Sequence, residues 1–506
     1  MGNVSLKKNF LLNALLTISG IIFPIISFPY VSRILGPGGT GKVDFATSII
    51  SYFALFSQLG IPTYGIRACS KVRDDKQALS RTVRELMTIN VFMSLVAYAV
   101  FIPVLLFVPR INGEKPLFLI ISMTLILNAV GIDYLYRGLE KYSYITARSI
   151  LFKVIAFVSL FIFIKEKDDY VIYGAISIFA TSASNILNFI HARRYISFRG
   201  LGKCDWKKHL KPVAMFFAMS CATTIYLHLD TSMLGFMCGE VDTGYYGASV
   251  KVKKILVSLV TSLGAVLLPR AAYYVEQGKM ADFRRITEKA LKFVFVISTP
   301  LMVFFMFYAT ESILFLSGDE YLPAIPAMTV IMPTLLFIGI TNILGIQILV
   351  PLGKERYVLY SEIAGAVVDL ILNLILIPPL KATGAAIGTT VAELVVFIVQ
   401  YYLLHRIKDQ NPIVDSFRKI RYWKILASIS LAVPCSIWVK FIVFDLNIGG
   451  TPGKVALINN LTKLACEGMC FMAVYVSAML LMKDEMMTEI MMTVRGKLTR
   501  KRKSAE

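Results

Sequence analysis

Charge is scarce in this sequence. Asp, Glu, Lys and Arg make up 17% of its 506 residues, against about 25% in a soluble globular protein. The length allows two or three soluble domains, but there is too little polar material to cover them. Seven Cys are scattered through the chain, too sparse for a disulfide scaffold. Four His lack ligand spacing, which argues against a metal centre. The low hydrophobicity that marks disorder is missing as well, since 56% of residues are hydrophobic and mean hydropathy is +0.67. A polytopic membrane protein remains.

What is present is a series of long apolar runs. A bilayer core of about 30 Å needs roughly 20 mostly apolar residues per helix. That criterion predicts an all-α fold of fourteen transmembrane helices. They run at about 10–34, 43–66, 85–108, 116–136, 144–164, 170–191, 212–237, 243–268, 290–316, 322–350, 357–378, 383–405, 422–444 and 459–482. Pro24, Pro29, Pro103, Pro300, Pro333 and Pro434 fall inside spans, where neighbouring groups can re-satisfy the freed backbone. Two lysines precede the first run but no small-residue cleavage site follows it, so it is expected to be retained.

Net charge is +21. In a soluble protein that would suggest nucleic acid; here no nucleic-acid partner is expected. Counting alternate connections places 39 Lys and Arg on one side, including the tail Lys483 to Lys503, and 8 on the other. The positive-inside bias then puts both termini in the cytoplasm.

The chain also repeats. Thr40-Gly41 recurs as Thr243-Gly244, and Arg67 as Arg270. Asn128 and Gly131 match Asn342 and Gly345; Gly138, Glu140 and Tyr142 match Gly353, Glu355 and Tyr357; Gly174-Ala175 matches Gly384-Ala385. The order of the matches and the small drift in offset point to two parallel six-helix lobes. Residues 1–209 form the first lobe, with a cytoplasmic linker at about 192–209. Residues 210–410 form the second, and 411–506 hold two further spans and a basic tail.

Gly36 to Val43, GPGGTGKV, nearly spells a phosphate-binding loop, but Val43 stands where a Ser or Thr would hold magnesium and no strand precedes it. It is expected to be an outer turn. Intramembrane charges carry more information, because they are costly and face interior cavities. Lys251, Lys253 and Lys254 lie 8 to 11 residues into the eighth span, roughly 12–17 Å deep. Lys251 and Lys254 share a helix face. Lys153 is mid-way along the fifth span, and Arg33 closes the first. A cationic cavity attracts phosphate or carboxylate. Asp44, Asp133, Asp230, Asp369 and Glu393 are the candidate ion-coupling groups, while Arg33, Glu467 and an Asp133–Arg137 pair also suit local neutralisation or snorkelling at span ends. No cofactor is expected beyond coupling to protons or sodium.

The segment FPYVSRILGPGGTG (28–41), running into FATS (45–48) and followed by LGIPTYGIR (59–67), resembles the bacterial polysaccharide/oligosaccharide flippases of the Wzx type. Their superfamily also holds the MATE multidrug exporters and the lipid II flippase MurJ. The resemblance implies translocation of undecaprenyl-diphosphate-linked oligosaccharide across the cytoplasmic membrane for capsule or cell-surface polysaccharide assembly. It also implies alternating access, with the bilayer and polysaccharide polymerase machinery as partners. It implies a cationic lumen for the diphosphate and glycan, for which Lys251, Lys254, Lys153 and Arg33 are the candidates.

Two rivals remain. A MATE-like exporter suits acidic cavity residues and normally twelve spans. A membrane-embedded glycan polymerase or ligase needs a sizeable outer loop of catalytic groups. The longest outer connection, about 445–458, holds only Asp445 and Lys454, so the chain is expected not to be an enzyme.

Overall fold

The computed structural model describes residues 6–197, 205–407, 417–442 and 452–492, and every described element is helical. In hydrocarbon each backbone N–H and C=O must be satisfied within its own segment, which helices achieve. Eight helices are long and apolar enough to cross a membrane, and eleven candidates result when each bent pair is taken as one span. Lys115–Val130 is a shorter apolar helix. Two compact units divide the chain at Gly247 and Ala248.

In the first unit, α1 (Leu6–Gln58) is followed by α2 (Ile61–Lys71), α3 (Lys76–Phe107) and α4 (Lys115–Val130). A short α5 (Asp133–Gly138) leads into α6 (Tyr142–Phe163); then come α7 (Tyr170–Ile178), a π turn, and α8 (Ser184–Ala192). Next is α9 (Lys207–Met237), and the head of α10 (Glu240–Glu276) ends the unit. Asp75 caps α3 by accepting from the backbone N–H groups of Gln77 (2.8 Å) and Ala78 (3.1 Å). The helix stops at Val108, before Pro109, because a residue preceding proline is pushed out of the α region. One side of α3 is buried through Leu79, Val83 and Leu86, while Phe92, Leu95 and Phe107 stay exposed. Exposed apolar side chains of this kind are what a lipid-facing surface requires.

The glycine-rich stretch expected as an outer turn is a correction. It is helical except at Gly36, whose φ of 64° joins two helical halves of α1. The fourth span also ends earlier than expected. α4 stops at Val130, and Asp133 opens the separate α5.

The break at Gly36 has a counterpart at Gly239, φ 109°, between α9 and α10. Only glycine adopts such angles without strain. The offset of 203 is that of the Thr-Gly repeat. Thr40 Oγ1 donates to the Gly36 carbonyl (3.1 Å), and Thr243 Oγ1 donates to the Gly239 carbonyl (2.7 Å). The two repeated segments therefore fold alike and also cross. A Cβ on Gly41 would lie 2.7 Å from Gly244 N and against the Glu240 carbonyl. A Cβ on Gly244 would lie 2.7 Å from Pro37 C and against its carbonyl oxygen. Pro37 and Glu240 are themselves repeat mates, so the contact is reciprocal, as across a two-fold axis. This crossing ties α9 and the head of α10 to α1 within the first unit.

In the second unit, α11 (Met280–Phe307) is followed by α12 (Ala309–Leu316), α13 (Ile325–Ile331), α14 (Thr334–Thr341) and α15 (Glu355–His405). The last two are α16 (Tyr422–Ile442) and α17 (Pro452–Leu481). α15 is broken at Lys381, φ 51°, just after Pro378 and Pro379. Its halves pack as an antiparallel pair, with Gln400 Nε2 donating to Ser361 Oγ (3.1 Å) and Gly365 against Val396. α16 and α17 form a second pair, where buried Lys424 donates to the carbonyls of Met482 (2.6 Å) and Lys483 (3.1 Å). The repeat reappears locally in both units. Gly131 lies under Asn185, and its mate Gly345 lies under Gln400. Part of the expected linker (198–204), part of the expected outer connection (445–451), residues 408–416 and the expected tail beyond 492 lie outside the described residues.

Candidate functional site

Lys153 is the twelfth of the 22 residues of α6, about half-way along. Its ammonium donates to Ser19 Oγ of α1 at 2.9 Å and stands over Gly20. Among the described residues no carboxylate pairs with it. Val154, Ile155 and Val158 on the same helix are exposed, whereas Lys153 is half-buried. A hydroxyl can share one ammonium proton and leaves the charge uncompensated.

Arg33 is half-buried on α1, and its Nη1 donates to the Pro29 carbonyl at 2.7 Å. Ser19 and Arg33 are fourteen residues apart on that helix, about 21 Å of rise. The structure therefore does not bring Lys153 and Arg33 into one site. Lys251 and Lys254 sit on α10 in the second unit, the first half-buried and the second exposed.

The predicted carboxylates differ in their surroundings. Asp44 is half-buried in the second half of α1. Asp133 is gripped by two guanidiniums, Arg137 Nε at 2.7 Å and Arg148 Nη2 at 3.3 Å. Arg148 is buried and also donates to the Ser184 carbonyl. Asp230 is buried and accepts from the Tyr246 hydroxyl. Asp369 and Asn373, both buried, face Gly388 across the α15 pair; a Cβ there would stand 3.1 Å from Asp369 Oδ1. Glu393, buried as well, is five residues past Gly388, about 7.5 Å along the helix. This pair thus concentrates two buried carboxylates and a carboxamide in one stretch of hairpin.

Sequence reading missed a node that joins α2, α3 and α9. Glu85 is fully buried and accepts from Lys208 Nζ (2.7 Å), His209 Nε2 (3.0 Å) and the Asp205 backbone N–H (2.9 Å). A carboxylate only accepts, so Nε2 carries the His209 proton. Nδ1 is hydrogen-bonded to the Tyr64 hydroxyl at 2.8 Å. Nothing in the spacing of these residues signals the network, because its members lie up to 145 positions apart.

Helices of this number and polarity, with charges buried inside them, define a multi-pass membrane protein. Residues 6–275 match the family described as polysaccharide biosynthesis protein, and the chain belongs to that family. Residues 216–375 also match the MatE family. A protein named "Putative O-antigen transporter" from Escherichia coli (strain K12) is 23% identical over 399 residues, covering 78% of this chain and 95% of that one. The lipid II flippase MurJ in an inward closed conformation has the same fold, with a TM-score of 0.65 and 14% identity. That likeness covers 91% of this chain and 98% of MurJ. An inward-facing multidrug resistance transporter of the MATE family has a TM-score of 0.61 and 15% identity, covering 78% and 96%. The family and fold are those that the opening segment resembles.

Proposed function

We propose that this protein is a flippase that carries undecaprenyl-diphosphate-linked oligosaccharide from the cytoplasmic to the outer leaflet for capsule or other cell-surface polysaccharide. The family match over residues 6–275 carries this reading, and the O-antigen transporter relative supports it. Lys153 gives it a mechanism. A diphosphate bears about two negative charges, and moving a single charge to mid-bilayer already costs several kcal/mol. Cations fixed at that depth replace part of the lost hydration, while the polyprenyl tail stays in lipid. Lys251, Lys254 and Arg33 extend the cationic path.

The reading uses fourteen spans. Cutting α1 at Gly36 and α15 at Lys381, taking each bent pair as one span, and adding Lys115–Val130 gives that number. The basic connections then place both termini in the cytoplasm. Residues 1–209 and 210–410 are the two lobes that rock, with 411–506 as the additional pair and tail. The protein acts as a transporter with no catalytic step, driven by protons or sodium taken up by one of Asp44, Asp230, Asp369 or Glu393. Asp133, held by two arginines, is the weakest of the five candidates.

The MatE match favours multidrug export as the second reading. Deleting the gene separates the two. A flippase leaves the lipid-linked oligosaccharide accumulated on the inner leaflet. Unchanged surface glycan with altered drug sensitivity refutes it in favour of the exporter. The double variant Lys251→Ala with Lys254→Ala, expressed at the normal level, is expected to restore little export to the deletion strain. Full restoration removes these lysines from the path.

A further inference from the structure

In the second unit α11, the start of α16 and the helical residues 485–492 enclose a cavity of about 120 Å³. We propose that it binds the headgroup of a zwitterionic phospholipid, its phosphate held by Lys419 and Arg421 and its ammonium by Asp484 and Glu485. Local structure brings these residues together. Buried Lys424 pins the start of α16 to the carbonyls of Met482 and Lys483 at the end of α17. Lys483, φ 52°, then turns the chain. Asp484 caps the short helix that follows by accepting from the N–H groups of Met486 (3.1 Å) and Met487 (3.0 Å). Glu489 ties that helix to Lys289 of α11 at 2.8 Å. On the topology proposed above, this end of the unit faces the inner leaflet.

The cavity carries charge of both signs that its own walls do not cancel. Glu288 receives both Lys292 (3.1 Å) and Lys419 (3.2 Å), one carboxylate between two ammoniums. Arg421 and Glu485 are exposed and line the cavity from different elements. Among the described residues they belong to none of the neighbouring ion pairs. Asp484 and Glu485 repel a purely anionic ligand, and Lys419 and Arg421 repel a purely cationic one. A phosphate and an ammonium carried on one molecule suit both sets, and Arg421 offers a fork of donors to phosphate oxygens. Buried Val296 and Ile425 supply an apolar part of the wall. Size selects further. Drug-sized ligands fill roughly 300–1,000 Å³, so a small headgroup fits here and a glycan does not. The bilayer is the source of the ligand, because Tyr422, Trp423 and Leu426 on the first turns of α16 are large and exposed. Tyr and Trp favour the membrane interface, and acyl chains can lie along them while the headgroup is held by the charged pocket.

The test uses the purified full-length protein in detergent. Native mass spectrometry counts bound phosphatidylethanolamine, phosphatidylglycerol and phosphatidylcholine of the same acyl chains. Phosphatidylethanolamine is expected to be retained at least about tenfold over the other two. Phosphatidylglycerol lacks the ammonium, and the methylated ammonium of phosphatidylcholine has no N–H to donate. In the double variant Arg421→Gln with Glu485→Gln, both at exposed positions, the preference should fall to less than about twofold. Its unfolding midpoint without added lipid should match that of the natural protein. Preferential retention of phosphatidylglycerol indicates a basic surface only and overturns the proposal. Equal retention of the three lipids, or an unchanged preference in the double variant, overturns it as well. None of these outcomes depends on what the protein transports.

Discussion

Replacing Glu85 by Ala removes the acceptor on which three elements of the first unit converge, and the size of the loss follows from what each donor does next. Lys208 is 46% exposed; its ammonium returns to water, and its share of the pair is about 0–1 kcal/mol. The Asp205 N–H belongs to an exposed residue and returns to water, whereas His209 is 6% exposed and stays buried, losing a hydrogen bond to a charged group. Stranding a buried donor costs about 1–3 kcal/mol, so the loss is about 2 kcal/mol. Cys69 is a natural reporter. It is fully buried in the same core as Leu86, Tyr134 and Leu135, and the Cβ of Cys69 would lie 2.9 Å from one added at Gly138. With the other six cysteines changed to Ser, thiol-reagent labelling of Cys69 measures opening of α2. A loss of about 2 kcal/mol accelerates labelling about 30-fold. Lys208→Ala should accelerate it no more than about fivefold. Comparable rates for Glu85→Ala and Lys208→Ala would refute the claim that buried His209, rather than the ion pair, holds this node.

Two further predictions follow from local geometry. Gly131→Ala drives a Cβ into the Asn185 side chain, 2.8 Å from its Cβ, and should cost about 1–3 kcal/mol. Gly345→Ala meets only the amide end of Gln400, at 3.2 Å, and should cost less than about 1 kcal/mol because that end can give way; thermal unfolding in detergent ranks them. Lys153→Met keeps the length of the side chain and removes its charge, so the protein should be at least as stable while export falls about tenfold or more. Lys153→Arg should retain export; equal export by Lys153→Met and the natural protein contradicts a role for the charge.

The all-helical membrane architecture was legible in the sequence because lipid imposes it. Apolar runs of about 20 residues are a direct consequence of a bilayer. The repeat was legible at Thr40-Gly41 and Thr243-Gly244, and the same offset also relates Gly36 to Gly239. The contact between the mates was not, since an offset states likeness and says nothing of proximity. The turn expected at residues 36–42 became helix because a single left-handed glycine re-aims the chain without a loop. Arg148 went unread because its partner, Asp133, had a nearer arginine one turn away in Arg137. The Glu85 node was invisible for a different reason. Tyr64, Glu85 and His209 meet only after three helices pack, and burial rather than spacing selects them.

Transport itself is the most direct measurement. Purified protein would be placed in liposomes that carry undecaprenyl-diphosphate oligosaccharide in both leaflets, and an added glycan-cleaving enzyme would report the outward-facing pool. The account predicts that the pool reachable from outside grows from about half to nearly all of the lipid as molecules cross, and that the Lys251→Ala, Lys254→Ala protein slows this sharply. A cleavable fraction that stays at the protein-free level contradicts it.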